Sequence, residues 1–341
     1  MTILVTGASG FLGSHLARLL VERGERVRVL LRRTSQTKLL EGLAVERVSG
    51  DLRDASSLEK AVAGVSTVYH AAADYRLWAR DPREIYESNV EGTRNLLEAA
   101  RRAKVRRFVY TSTVGTVAVP RAGVLPDESV VTSMDEMIGT YKRSKWLAEQ
   151  EARKAAEAGL PVVIVNPTTP IGPGDAKPTP TGRIIVDFLN GRMPAYVNTG
   201  LNFVPVEDAA AGHLLASERG LVGQRYILGG ENLTLKQALE ILSQISGRPA
   251  PRVRVPHALA LGAAYADTAL SRLLGRDPQI PLEGVRMARH KMFVNTEKAR
   301  AELGFSTGSL PEAFERAVRW YESNGYVRAT RRAHMAAVRA A

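Results

Sequence analysis

The sequence predicts an α/β fold: a doubly wound parallel sheet with helices on both faces, followed by a smaller C-terminal substrate-binding domain. Three observations predict it. Short Val- and Ile-rich runs alternate with longer helical patterns through the first half of the 341-residue chain. Those runs lack strict polar alternation, as strands buried on both faces do. A glycine-punctuated turn also joins the first run to the first helical pattern. Hydrophobic residues make up 45% and charged residues 24%, a balance that supports a sizeable globular core.

The strand candidates are 3–6, 27–31, 45–49, 67–70, 107–112 and 162–166. Between them lie "GSHLARLLVERG", "SSLEKAVAG", "REIYESNVEGTRNLLEAARRA" and "YKRSKWLAEQEARKAAEAG", which read as helices. The rhythm ends after Asn166. "NPTTPIGPGDAKPTPTG" is dense in Pro, Gly and Thr and reads as a long loop. These shifts divide the chain into a nucleotide-binding domain over 1–166 and a smaller substrate domain over 167–326. A strand near 225–229 is a candidate to return to the main sheet. The basic tail, 327–341, is expected to be disordered. The stretch 257–275 is interrupted by Asp267 and Arg272 and reads as a buried or amphipathic helix, not a membrane span.

Composition excludes several function classes. There is no cysteine, so disulfide and thiolate chemistry are absent, which fits a cytoplasmic setting. "MTILVTG" reaches glycine too soon for a secretory signal. The six histidines are scattered without ligand spacing, so no metal site is expected. The net charge of +12 is dispersed, its clusters are not interleaved with aromatics, and no nucleic-acid-binding signature appears. The expected reading is a solvated basic surface and one anionic cofactor, with weak contact of the tail to acidic lipid heads as the only membrane association.

The anionic cofactor has a candidate site. "TGASGFLGSHLARLL" places Gly7, Gly10 and Gly13 after a strand and at the opening of a helix, with Ser9, Phe11 and Leu12 in the same loop. Gly7 suits a tight turn, Gly10 a close backbone approach to pyrophosphate, and Gly13 close helix–strand packing. The helix N-terminus then offers free N–H groups to phosphate. This is a Rossmann-type dinucleotide cradle. An acidic residue ending the second strand would bond the ribose of NAD, but Arg32 and Arg33 stand there, with Thr34 and Ser35 beside them. A guanidinium suits a 2′-phosphate, so NADP is favoured, with NAD the alternative and Arg32 the chosen residue. Asp51 is placed for the adenine amino group and Leu52 for the ring. Ala71, Ala72 and Ala73 give small residues where backbone must pass the cofactor. His70 reads as a packed strand-end histidine.

The chemistry is expected one strand further on. "FVYTSTVGT" puts the hydroxyls of Thr111, Ser112 and Thr113 at the carboxyl end of the fifth strand, where open α/β sheets bind ligands. "YKRSK" follows, with Tyr141 and Lys145 one helical turn apart on one face. A free phenol has pKa ~10, and a neighbouring ammonium favours its ionised form. Tyr141 is therefore the candidate proton donor and acceptor, Lys145 its modulator and a ribose ligand, and a Ser/Thr hydroxyl the group that holds the carbonyl. Lys142 and Arg143 read as solvated charges.

Glycine loop, strand-end hydroxyl and YxxxK in this order resemble an extended short-chain dehydrogenase/reductase. "HAAADYRLWARDPREIYESNVEGTRNLLEAA", "YKRSKWLAE" and "NPTTPIGPGDAKPTPTGRIIVDFLNGRMPAYVNTGLN" resemble, more narrowly, the hopanoid-associated sugar epimerase family. The glycine loop, Arg32 and "YTSTVGTV" are similar to the dihydroflavonol-reductase branch. The resemblance covers 1–326 and implies Thr113 in the Ser/Thr role with Ser112 beside it, Asn89 at the cofactor, and Pro167 and Thr169 near the nicotinamide. Thr113 stands where similar proteins often carry serine. Pro205 stands where a histidine is usual, while Asp208 is retained. Tyr75, Arg76 and Trp78 are candidates to line a substrate pocket, and Lys177 and Arg183 to meet a polar or phosphorylated group. The resemblance implies a homodimer through helices 83–103 and 140–158. It also implies hydride transfer on a sugar-like or hopanoid-linked polyol. A carbonyl reductase is expected first, a redox-neutral sugar epimerase second, and a non-catalytic dinucleotide sensor third.

Overall fold

The computed structural model describes residues 1–119 and 124–328. The expectation for the tail beyond Arg328 lies outside those residues. The first half alternates as the sequence pattern requires: β1 (Thr2–Thr6), α1 (Phe11–Glu22), β2 (Arg26–Leu31), β3 (Val45–Ser49), α2 (Ala55–Val62), β4 (Val65–His70), α3 (Arg83–Tyr86), α4 (Gly92–Arg102), β5 (Arg107–Thr111), α5 (Gly139–Glu157) and β6 (Val162–Pro167). Then come β7 (Thr169–Ile171), α6 (Pro180–Leu189), β8 (Ala195–Val197), β9 (Gly200–Pro205), α7 (Val206–Arg219), β10 (Arg225–Leu228), β11 (Glu231–Thr234), α8 (Leu235–Ser246), β12 (Val253–Val255), α9 (His257–Leu274), α10 (Leu282–Met287), β13 (Lys291–Met292), α11 (Glu297–Leu303) and α12 (Leu310–Ser323).

Seven strands form the main sheet in the order β10-β6-β5-β4-β1-β2-β3, and every pairing in it is parallel. The order reverses at β1, so the crevice for a ligand opens beside the carboxyl ends of β1 and β4. Alternate residues serve opposite faces. Val5, Val29, Val109 and Val163 pack with Leu16 and Leu20 of α1 and Leu214 of α7. Leu4, Val68, Phe108 and Ile164 pack with Leu58 of α2, Leu96 of α4 and Ala148 of α5. Both faces are dry, which is why the strands read as unbroken apolar runs.

Beyond β6 a second sheet forms around β9, which pairs antiparallel with β11 and parallel with β7 and β13. Its core joins Ile185 and Phe188 of α6, Leu239 of α8 and Phe314 and Tyr321 of α12. Val327 packs on this cluster, and Arg328 N–H donates to Asn190 Oδ1 at 3.0 Å, so tertiary contacts extend past 326. The stretch expected to be a buried or amphipathic helix is α9. Only Ala264 and Ser271 are buried in it, and Leu259, Tyr265, Leu270, Leu273 and Leu274 face solvent. It is amphipathic with its apolar side outward, because α10 is its main packing partner. Among the described residues no helix is long and apolar enough to cross a membrane.

The loop after β1 shows why glycine is needed there. Gly7 has φ +75°, and a Cβ on it would lie 2.6 Å from the Ala72 nitrogen. A Cβ on Gly13 would lie 2.1 Å from the Gly7 carbonyl oxygen, which α1 itself presses against. Gly13→Ala is expected to destabilise the protein by about 1–3 kcal/mol through this overpacking. It should also weaken dinucleotide binding about tenfold or more. Thermal unfolding and fluorescence titration with NADPH check both effects; a variant equal to wild type would show that the loop is free to relax.

Candidate active site

The cradle is built from backbone. Gly10 caps α1 with no side-chain bond, and α1 has no acidic residue in its first turn. Its opening N–H groups are thus left for an anion. Gly10 N–H donates to Gly7 O at 2.9 Å, which closes the turn. Ser9, Phe11 and Leu12 are half-buried along it, and Gly10 is exposed. These features fit a pyrophosphate: small residues, close backbone and unsatisfied donors.

The residues meant for the rest of the dinucleotide divide. Arg32 and Arg33 directly follow β2, and both are exposed. The loop there is closed by Arg32 N–H donating to Ser35 Oγ at 3.0 Å. Asp51 is gripped by Arg53 through two side-chain bonds of 3.0 and 2.8 Å, which hold its carboxyl down at about 2. The sequence reading of Asp51 omitted this partner. Leu52 packs on Gly92, where an added Cβ would lie 2.7 Å from its own. Ala71 N–H donates to Thr6 O at 3.2 Å, continuing the ladder past β4, with Ala72 half-buried and Ala73 exposed. His70 is buried between Thr6 and Thr93, and burial pushes it down to about 3, in keeping with a packed neutral imidazole.

At the end of β5 the three hydroxyls part company. Thr113 is the hydroxyl that acts on Tyr141. Burial raises the Tyr141 phenol, and the hydrogen bond with the Thr113 side chain partly lowers it again. Ser112 turns the other way and donates to Glu149 Oε2 at 2.6 Å, so its hydroxyl is engaged with α5. The alternation of side chains about an extended segment explains the split. Thr111 spends its hydroxyl on His213 at 3.0 Å and offers the site its carbonyl.

Lys145 is fully buried. Its ammonium donates to Thr111 O at 2.7 Å and to Tyr110 Oη at 2.9 Å, and burial lowers it to about 7. Tyr110 is raised well above its ordinary value by burial, with charge on Glu149 and Tyr141 adding to the effect. Tyr110 and Lys145 thus share one dry cluster, and the half-buried Tyr141 borders it. The ammonium is bonded to Tyr110, not to Tyr141, contrary to the simpler expectation. Lys142, expected to be solvated, is buried, whereas Arg143 is exposed.

The Asn89 amide is bonded within the protein. It accepts from Asp74 N–H at 2.7 Å and donates to Asp74 O at 2.9 Å and Ser144 Oγ at 2.9 Å. It lies in a single π-helical turn, Glu87–Glu91, of the kind found at functional sites. It therefore braces the segment after Ala73 against α5. That segment carries the tentative substrate residues. Tyr75 donates to Lys177 O at 2.9 Å, and Arg76 is paired with Asp74 and Glu84 at 2.6 and 2.8 Å. Trp78 is half-buried, and the side chains of Lys177 and Arg183 are exposed. Pro167 ends β6, Thr169 opens β7, and Pro205 precedes α7. Asp208 accepts from Gly308 N–H at 2.7 Å, a contact within the C-terminal part.

Two carboxylates were missed by the sequence reading. Glu149 is buried and receives Ser112, Thr116 at 2.9 Å, Asn166 at 3.1 Å, Arg153 at 3.3 Å and Arg225 at 3.4 Å. Burial alone would raise its carboxyl, but Arg225 and these donors outweigh it and the carboxyl lies below its usual value. The signal was present: Tyr141, Lys145 and Glu149 are spaced four apart on one helical face. Glu283 of α10 accepts from Thr140 N–H at 3.0 Å and so caps the start of α5. Nothing local could announce it, since the partner lies 143 positions away.

This cradle and this centre define a dinucleotide-dependent dehydrogenase of the extended short-chain type. The chain belongs to the NAD dependent epimerase/dehydratase family, which it matches over residues 3–229. It is 47% identical over 328 residues to a dihydroflavonol 4-reductase-like protein of Synechocystis sp., covering 95% of each chain. It is 40% identical over 330 residues to sterol demethylase protein B of Methylococcus capsulatus, covering 96% of this chain and 100% of that one. The crystal structure of gox2253 superposes with a TM-score of 0.86 at 44% identity, covering 96% of this chain and 99% of that one.

Glu149→Gln is expected to lower unfolding stability by about 3 kcal/mol or more, because it leaves Arg225 buried without its counter-charge. Urea unfolding with an unchanged m-value checks it. An unmoved midpoint would mean that the carboxylate's charge is dispensable.

Proposed function

We propose that the protein is an NADP-dependent carbonyl reductase in which Tyr141 is the general acid. The observation that carries this reading is the placement of Lys145, one turn beyond Tyr141 on α5, whose ammonium is fixed at the end of β5 by Thr111 O at 2.7 Å and Tyr110 Oη at 2.9 Å, beside a Tyr141 phenol that burial raises. Near neutral pH it holds its proton, as a group that must donate to a carbonyl oxygen should. Thr113 holds that oxygen beside the phenol. Lys145, titrating near neutrality, is placed to return a proton through the buried hydroxyl cluster, with Thr111 O and Tyr110 fixing its ammonium. When bound, the nicotinamide supplies the hydride. The chain orients the carbonyl, excludes water and moves the proton.

Arg32 supports NADP over NAD. It is an exposed guanidinium where the ribose-binding acid of NAD proteins would stand, and no carboxylate lies within ion-pair distance of it among the described residues. The substrate class we favour is a ketone or secondary alcohol on a polycyclic or polyol framework. The dihydroflavonol and sterol names of the two relatives support the polycyclic form. The retained fold of the epimerase/dehydratase family keeps a redox-neutral sugar epimerase as the second reading.

Tyr141→Phe should lower kcat about 10²–10⁴-fold while NADPH binding stays within twofold or so; full retained activity would sink the mechanism. Stoichiometry separates the two readings. A reductase consumes one NADPH per product, and turnover without net oxidation would point to epimerisation. Arg32→Asp should cut the preference for NADPH over NADH about tenfold or more in kcat/KM, the scale of one lost charge-assisted bond. An unaltered preference would remove Arg32 from cofactor selection.

A further inference from the structure

Lys142 follows Tyr141 on α5, and its side chain is only 8% exposed. Three cations are this deeply buried among the described residues, and two are compensated. Lys145 donates to two oxygens, and Arg225 meets Glu149 and backbone carbonyls. The Lys142 ammonium has one hydrogen-bond partner, the thioether sulfur of Met292 at 3.7 Å, which is a weak acceptor. Among the described residues no carboxylate lies within ion-pair distance of it. Met292 packs on Val114, Val117 and Val294, so the surroundings are apolar. Burial accordingly lowers the Lys142 ammonium to about 8. A buried charge is normally paired, because an uncompensated one costs several kcal/mol.

The unpaired ammonium lies beside the chemistry. A Cβ built on Gly115 would sit 3.2 Å from Lys142 Cε and 3.4 Å from Thr113 Oγ1. The lysine stem therefore packs over Gly115 and comes up beside the carbonyl-holding hydroxyl of Thr113. We propose that Lys142 is a substrate-binding residue whose ammonium receives a carboxylate carried close to the reacting carbonyl, as in a 3-oxo carboxylic acid. A hydroxyl would leave the lysine's charge uncompensated. A phosphate dianion would exceed the single positive charge and leave oxygens without donors in an apolar slot. One ammonium matches one carboxylate.

This inference rests on the carbonyl-reductase reading for the position of the reacting carbon, so the test reads binding separately from turnover. The protein saturated with NADP⁺, which cannot reduce a ketone, is titrated calorimetrically with 3-oxooctanoate and with its methyl ester. Wild type is expected to bind the acid about tenfold or more tightly than the ester, the scale of one charge-assisted contact. Lys142→Met, similar in length and apolar, should bring the two to near parity. It should melt no lower than wild type, since it removes an unpaired buried charge. Lys142→Arg should retain part of the preference. Equal binding of acid and ester by wild type, no binding of either, or an undiminished preference in Lys142→Met would overturn the proposal. Preferential acid binding without NADPH oxidation would instead sink the reductase reading and leave the anion site standing. Reduction of the ester without acid preference would do the reverse.

Discussion

The buried carboxylate of Glu149 is the interaction on which the site depends. It reaches the end of β5 through Ser112 and Thr116, β6 through Asn166 and β10 through Arg225, and it stands on the helix that carries Tyr141 and Lys145. A helix packed on a sheet by apolar contacts alone can slide, because dispersion contacts are numerous and non-directional. A carboxylate with five partners cannot. It fixes the axial position and rotation of α5 against the strand ends. The distance from the Tyr141 phenol to the Thr113 hydroxyl is therefore inherited from a polar knot two turns away.

That knot sets the electrostatics as well. Glu149 carries negative charge in a dry interior and favours the ammonium of Lys145 against the larger burial effect that lowers it. The same charge helps keep Tyr110 protonated. One anion thus holds a lysine near neutrality and a tyrosine as a hydroxyl, the mixture needed to relay a proton without trapping it. Thr113 acts on Tyr141 locally, and Glu149 acts on the cluster behind it.

How much of this was legible in the sequence depended on how local the cause was. The parallel sheet was readable because burial on both faces forces Val5, Val29 and Val109 and their neighbours into continuous apolar runs. The glycine loop was readable because Gly7 and Gly13 answer to steric limits within a few residues of themselves. Tyr141 and Lys145 were readable from helical spacing. The bond from Ser112 to Glu149 was not legible, because strand-end hydroxyls look alike until the alternation of the backbone sends one inward. Lys142 was misread because charge is usually solvated, and only Met292, 150 positions on, covers it. The bracing bonds of Asn89 were not legible, since its amide meets Asp74 through a loop that no periodicity describes. Asp51 was given a ligand to meet, while Arg53 two residues on already held it. The apolar content of α9 was visible, but which way it faced was decided by α10.

The contact between Gly7 and Ala72 has a consequence for how this sequence can change. Two segments far apart in the chain share a gap with no room for a single added carbon. Gly13 is locked to Gly7 itself, through the Gly7 carbonyl oxygen. Substitution at one of these positions must be answered at another in the same step, so a path of single tolerated changes is closed. The loop after β5 is more yielding: a Cβ on Gly115 would meet side chains, first the flexible stem of a lysine, not backbone. Diversification of this scaffold is therefore channelled away from the cofactor and toward the substrate.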